Sequence, residues 1–247
     1  MGIMNLFNRG QKKEEHPYTT AIIAAAGNGS RMGLGFKDKQ LILINGTPVI
    51  SYSIRAFEDA TTIDEIIIVS KEENILRFAD LVKDFEFKKV SKIICGGQTR
   101  TQSVFNAINE LDEKTRYISI HDGARPFVNS NTINEVNYAA YKYNAAACYV
   151  KIKDTIKNID NAGFVKDTID RTYLGAVQTP QAFSLKLYLA CSSLAQQRGI
   201  NYSDDCQIIE QGGKKVYLIE GSYNNIKITT KEDIALAEAL QKAVNNV

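Results

Sequence analysis

Short β-branched or small apolar runs alternate with longer amphipathic stretches along most of the chain, and few folds accept that rhythm. The apolar runs predict strands over residues 20–26, 63–70, 90–95, 117–121, 145–151 and 215–220, with another short strand around Lys227. Helical spacing predicts helices over residues 48–60, 72–85, 101–113, 132–143 and 185–198, and a last one after Thr230. In the first of these, Ile50, Ile54 and Phe57 fall on one face. Ser70-x-x-Glu73 reads as a capping box for the second, and Thr230-x-x-Asp233 as a similar start for the last. Strands that alternate with helices imply a mostly parallel sheet joined by right-handed crossovers, with helices on both faces. In such sheets ligands bind beyond the carboxyl ends of the strands.

One segment departs from the rhythm. Residues 153–181 read as two short strands about the polar turn Asp160-Asn161-Ala162-Gly163. So polar a hairpin needs something to cover its edges, and an arm reaching into a second subunit would supply it. The remainder of the 247 residues fits one α/β domain over residues 18–247, preceded by a loose tail over residues 1–17. The apolar patch in that tail is too short for a signal-peptide core, and no apolar run approaches a membrane span. A formal charge of +2, spread along the chain, makes no case for nucleic-acid binding. Cys95, Cys148, Cys191 and Cys206 lack zinc or redox spacing and read as reduced packing residues of a cytoplasmic protein.

Chemistry concentrates at the predicted strand ends. After the first strand comes Gly27-Asn28-Gly29-Ser30-Arg31-Met32-Gly33, where glycines let the backbone turn tightly and present N–H groups to an anion. Arg31 adds a forked cation suited to phosphate oxygens. This is neither a P-loop, which needs Gly-Lys-Ser/Thr, nor a dinucleotide fingerprint, which needs a third glycine three residues after the second; the latter argues against an NAD-dependent oxidoreductase. Lys37, Lys39 and Gln40 follow. Gly96-Gly97-x-x-Arg100-x-x-Ser103 opens another turn and helix, suited to a base and ribose, and His121-Asp122-Gly123-Ala124-Arg125-Pro126 ends a strand. Taken alone, Asp122 with Arg125 fits a structural ion pair as well as a functional one, and Lys227 fits solvent exposure as well as a site. His121 reads as a hydrogen-bonded strand-end residue and Lys37 as a surface charge.

In this order the motifs Ala-Ala-Gly-x-Gly-x-Arg-Met, Lys-Gln, Gly-Gly-x-x-Arg-x-x-Ser-Val, His-Asp-x-Ala-Arg-Pro, Lys-Asp-Thr, Asp-Arg, Gln-Thr-Pro-Gln, Asp-Asp and Asn-Ile-Lys-Ile-Thr run from Thr20 to the final helix. Together they resemble the 2-C-methyl-D-erythritol 4-phosphate cytidylyltransferases. The resemblance implies a Rossmann-like sheet of the nucleotide-diphospho-sugar transferase type, with a protruding β-arm over about residues 152–178 that builds a homodimer. It implies transfer of CMP from CTP to 2-C-methyl-D-erythritol 4-phosphate with release of pyrophosphate, on the non-mevalonate route to isoprenoids, in a cytoplasmic enzyme with no nucleic-acid or membrane partner. It assigns Arg31, Lys39 and Lys227 to catalysis, and Ala24, Ala25, Ala26, Gly27, Gly29, Gly97, Ser103 and Asp122 to the nucleotide. Acceptor binding falls to Asp122, Arg125, Thr155, Arg171 and Thr179, and Mg²⁺ is expected on CTP oxygens rather than on dedicated protein ligands. A ribitol 5-phosphate cytidylyltransferase and a non-catalytic nucleotide-binding module are the alternatives. Asp38 stands where the family usually has proline, and Ala107 where glycine is common.

Overall fold

The computed structural model describes residues 16–27, 38–197 and 202–245. The loop residues Gly29 and Arg31, and Lys37, lie outside the described residues. The main sheet has seven strands, β1 (Thr19–Ala24), β4 (Glu65–Ser70), β5 (Val90–Cys95), β6 (Tyr117–Asp122), β7 (Ala145–Lys151), β10 (Gly175–Ser184) and β11 (Tyr217–Glu220), in the order β11-β7-β10-β6-β1-β4-β5. Only β10 runs antiparallel to its neighbours, between β6 and β7. Two small ribbons complete the strands: β2 (Leu43–Ile44) with β3 (Thr47–Pro48), and β8 (Ile156–Ile159) with β9 (Val165–Ile169).

The period-two alternation of the strands divides the core between the two faces of the sheet. Ile22, Ile67, Val69, Ile118 and Ile120 face α3 (Arg100–Ile108), α5 (Leu185–Gln197) and α6 (Asp205–Gln211). Ala21, Ile23, Ile66 and Ile68 face α1 (Val49–Asp59), α2 (Ile75–Asp84) and the first part of α4 (Ser130–Tyr143). Each fully buried isoleucine stabilises the fold by roughly 1.5–3 kcal/mol. Because β1 is buried on both faces and paired on both edges, its carboxyl end has little freedom, and the turn that leaves it is held from below.

Four readings of the sequence are corrected. Residues 72–85 do not form one helix: a 3-10 turn over Glu72–Asn74 precedes α2, and Ser70 Oγ donates to the Lys71 carbonyl at 2.9 Å instead of capping. The segment carrying Lys227 is not a strand but an extended stretch tied to the sheet by Ile228 N–H donating to Ala124 O at 2.9 Å. Residues 175–181, read as the end of the hairpin segment, belong instead to a long interior strand, β10. Cys95 is exposed, while Cys148, Cys191 and Cys206 are the buried packing thiols expected. The cap of α7 (Lys231–Asn245) is as read, with the Asp233 carboxylate accepting from Thr229 N at 2.7 Å and Thr230 N at 2.8 Å. The hairpin turn is also present, with Gly163 at φ +89° and Asp160 Oδ1 accepting from Ala162 N and Phe164 N, each at 2.9 Å.

Candidate active site

Five segments meet above the carboxyl ends of the parallel strands and enclose a cavity of about 460 Å³. Ala24, Ala26 and Gly27 come from the end of β1, Ser70 and Lys71 from β4, and Cys95 to Ser103 from β5 and the start of α3. Asp122 and Ala124 come from β6, and Lys227 and Thr229 from the extended stretch before α7. A 3-10 turn over Lys39–Leu41 closes one side, with Lys39 and Gln40 buried.

The β5–α3 turn is shaped by close approach. A Cβ on Gly96 would lie 2.4 Å from Ala26 Cβ and 2.9 Å from Ser103 Oγ, so only glycine lets this turn lie against β1. Ser103 Oγ accepts from Gly97 N at 3.0 Å and donates to Thr99 O at 2.9 Å, while Thr99 caps α3 by accepting from Gln102 N at 3.1 Å. These bonds fix the shape of the turn on this side of the cavity.

Charge is organised around Asp122. Its Oδ2 accepts from Lys227 Nζ at 2.6 Å and lies 3.7 Å from Arg125 Nε, and its Oδ1 accepts from Arg100 Nε at 3.3 Å. Burial alone would raise the Asp122 carboxyl, but Arg100 and then Lys227 hold it well below the usual carboxylate range. Arg125 Nη1 donates to Asn225 O at 2.8 Å, which ties the β6 turn to the stretch that presents Lys227. Across the cavity, Asp38 Oδ1 accepts from Asn74 Nδ2 at 2.7 Å and Lys71 Nζ at 3.1 Å. These bonds join the turn bearing Lys39 to the residues that lead into α2.

His121 points away from this chemistry. Its ring is fully buried and packs on Phe57, with centroids 5.0 Å apart. Nε2 is 3.2 Å from Arg125 O, which can only accept, so Nε2 carries the proton and Nδ1 accepts from Thr179 Oγ1 at 3.0 Å. Thr179 Oγ1 in turn accepts from the Asp122 backbone N–H at 3.1 Å. Burial lowers the imidazole to about 4, so it is neutral and both nitrogens are occupied.

Residues 19–243 match the family model for 2-C-methyl-D-erythritol 4-phosphate cytidylyltransferase. The chain belongs to this family. A relative of that name from Clostridium acetobutylicum is 47% identical over 224 residues, covering 90% of this chain and 96% of its own. One from Clostridium tetani is 44% identical over 227 residues, covering 92% of each. Among solved structures, the 4-diphosphocytidyl-2C-methyl-D-erythritol synthase of Anaerococcus prevotii superposes with a TM-score of 0.82 at 31% identity, covering 91% of this chain and 96% of that one.

Among the residues the family resemblance singled out, Ala24, Ala26, Gly27, Lys39, Gly97, Ser103, Asp122 and Lys227 line the cavity together. Ala25 turns into the core and its N–H donates to Val69 O at 2.7 Å. Arg125 and Thr179 sit behind Asp122 and hold it, rather than lining the cavity. Thr155 and Arg171 are exposed, on either side of the β8–β9 ribbon, where Arg171 donates to the Lys153 carbonyl. Gly29 and Arg31 fall outside the described residues. Sequence reasoning missed Lys71, Glu72 and Glu73, which line the rim, and Asp205, whose Oδ2 accepts from Arg100 Nη1 at 2.5 Å. The Asp204-Asp205 pair was the available signal for the last, since Asp204 caps a helix by accepting from Gln207 N.

Proposed function

We propose that this protein transfers the CMP moiety of CTP to the phosphate of 2-C-methyl-D-erythritol 4-phosphate, giving 4-diphosphocytidyl-2-C-methyl-D-erythritol and pyrophosphate. The observation that carries the reading is the cluster of Lys227, Arg100 and Arg125 about Asp122 at the end of β6, in a cavity whose neighbouring histidine is neutral and fully hydrogen-bonded. A phosphate monoester has a second pKa of about 6 and attacks as a dianion, so this chemistry needs no general base. It needs two anions brought together and the charge around the α-phosphorus stabilised, which positioning and fixed cations supply.

In this reading the Gly96-Gly97 turn and Ser103 hold the base and ribose beside Ala24 and Ala26, and Lys39 and Lys227 face the triphosphate. Lys227 donates to phosphate oxygens as charge develops, while Asp122 keeps the ammonium in place and accepts from sugar hydroxyls. Arg31 belongs to the same triphosphate grip. Thr155, Arg171 and Thr179 serve the acceptor, the first two presented by the arm.

Mg²⁺ fits this donor set as a guest of the nucleotide. No group of three or more acidic, histidine or cysteine side chains that could hold a metal occurs among the described residues, and both Asp122 oxygens are already engaged by cations. Asp122, whose oxygens each keep a further lone pair, would be the carboxylate to meet a triphosphate-bound Mg²⁺, which would neutralise phosphate charge when bound. The protein acts as a homodimer through the arm, which exposes Ile159, Phe164, Val165 and Tyr173. We place it in the cytoplasm; no described helix is long and apolar enough to cross a membrane.

The test is pyrophosphate release measured with CTP and, separately, 2-C-methyl-D-erythritol 4-phosphate or ribitol 5-phosphate. Release with the first acceptor and not the second is expected. Release with ribitol 5-phosphate alone, or none with either, overturns the reading.

A further inference from the structure

We propose that Asp205 is a positioning residue for this transfer: it pins the Arg100 guanidinium across the Asp122 carboxylate and so fixes where Asp122 holds Lys227. The proposal rests on the function given above. Asp205 is the first residue of α6, is 1% exposed and does not line the cavity. Three elements immobilise it. Its N–H donates to Gln181 Oε1 on β10 at 3.0 Å, its Oδ1 accepts from Tyr188 Oη on α5 at 2.8 Å, and its Oδ2 accepts from Arg100 Nη1 at 2.5 Å.

Arg100 needs such an anchor. It is the first residue of α3, where the positive end of the helix dipole disfavours a cation. Two carboxylates on opposite sides offset that, Asp122 through Nε and Asp205 through Nη1, while Nη2 has no hydrogen-bond partner among the described residues. The result is an alternating row, Lys227–Asp122–Arg100–Asp205–Tyr188, whose inner end is held by the core and whose outer end lies in the cavity. Without the Asp205 charge, Arg100 keeps one carboxylate instead of two. It then either draws Asp122 away from Lys227 or swings toward the triphosphate, where it strengthens ground-state binding without aiding transfer. Both outcomes lower kcat and leave the KM for CTP unchanged or reduced.

A carboxylate that merely anchors α6 would behave differently, and a double-mutant cycle with Arg100 separates the two. The steady-state constants are measured for wild type, Asp205→Asn, Arg100→Lys and the double variant, with circular dichroism and thermal melting on each. Asp205→Asn is expected to lower kcat by about tenfold or more, with the KM for CTP at or below the wild-type value. In the Arg100→Lys background the same change should cost no more than about twofold, because the partner it acts through is already altered. An equal loss in both backgrounds overturns the proposal, as does near-normal kcat in folded Asp205→Asn. If Asp205→Asn does not fold, Tyr188→Phe, which releases Oδ1, carries the cycle: its smaller kcat loss must vanish in the Arg100→Lys background, and its persistence there overturns the proposal. A folded wild type that releases no pyrophosphate from CTP defeats the functional reading and this proposal with it; an active wild type with an additive cycle defeats this proposal alone.

Discussion

Individual side chains explain why a strand-end histidine next to the central carboxylate stays neutral with both ring nitrogens occupied. His121 donates through Nε2 to Arg125 O and accepts at Nδ1 from Thr179, and burial keeps it neutral with its titration lowered from 6.5 to about 4. The unfolded chain therefore binds a proton between those values that the folded chain refuses. The stability this contributes is present above about pH 6.5 and is lost as the pH falls toward 4. Between about pH 7 and pH 5 wild type should lose about 2 kcal/mol more than His121→Gln, whose amide cannot titrate. Urea unfolding of both proteins at the two values checks this, and parallel losses would refute it. The residue was readable from sequence because an apolar run followed by His-Asp marks the end of a buried strand. The Asp122–Arg125 pairing was readable only as an open alternative, since the closer cations, Lys227 at 2.6 Å and Arg100 at 3.3 Å, arrive from distant parts of the chain.

At the level of elements, the parallel half of the sheet was legible because strand and helix periods differ and alternate there cleanly. Strands β5 and β7 match the expected residues at both ends, and the others differ by one or two residues at an end. β10 was missed for a physical reason. It carries Pro180 and the polar Gln178, Thr179 and Gln181, a composition that argues against an interior strand. Those side chains are buried, but each is paired by a distant partner: Gln178 donates to Ser222 O, Thr179 to His121 and Gln181 to Asp204. α6, with 7 residues, is too short to declare a period, and so Asp205 went unassigned. The meeting of β1, β5 and α3 yields a sharper expectation. Gly96→Ala forces a Cβ to within 2.4 Å of Ala26 Cβ in the turn that leaves β1, and to 2.9 Å of Ser103 Oγ, so the two turns must move apart. A stability loss of about 1–3 kcal/mol by denaturant unfolding should accompany at least a tenfold weaker KM for CTP. Stability loss with unchanged CTP affinity would mean that this turn does not carry the nucleotide.

Across the whole molecule, the cavity and the arm divide the proposed chemistry between two bodies of structure. Lys227 belongs to the cavity, whereas Arg171 lies just beyond β9, at the base of the arm whose apolar side chains Ile159, Phe164 and Tyr173 are 65%, 71% and 91% exposed. A two-stranded ribbon this exposed is not stable by itself, and a second copy that covers it would also carry Arg171 to another subunit's cavity. Lys227→Met should fold and lose roughly a hundredfold in kcat, as expected when a donor to developing charge is removed. Arg171→Ala should raise the KM for the acceptor and leave CTP binding nearly intact, since only the acceptor phosphate loses its forked partner. Each variant alone is then nearly inactive at low acceptor concentration. If the arm works in trans, subunit exchange between the two creates dimers with one site carrying both lesions and one carrying neither. Random exchange of equal amounts should restore about a quarter of wild-type activity, because half of the dimers are mixed and one site in two is intact. If both lesions instead fall within one subunit's own site, every site keeps one of them and no activity returns. Exchange verified by mass-tagged subunits with activity still absent would rule out a site shared between protomers, while a monomeric wild type in sedimentation would remove the dimer altogether.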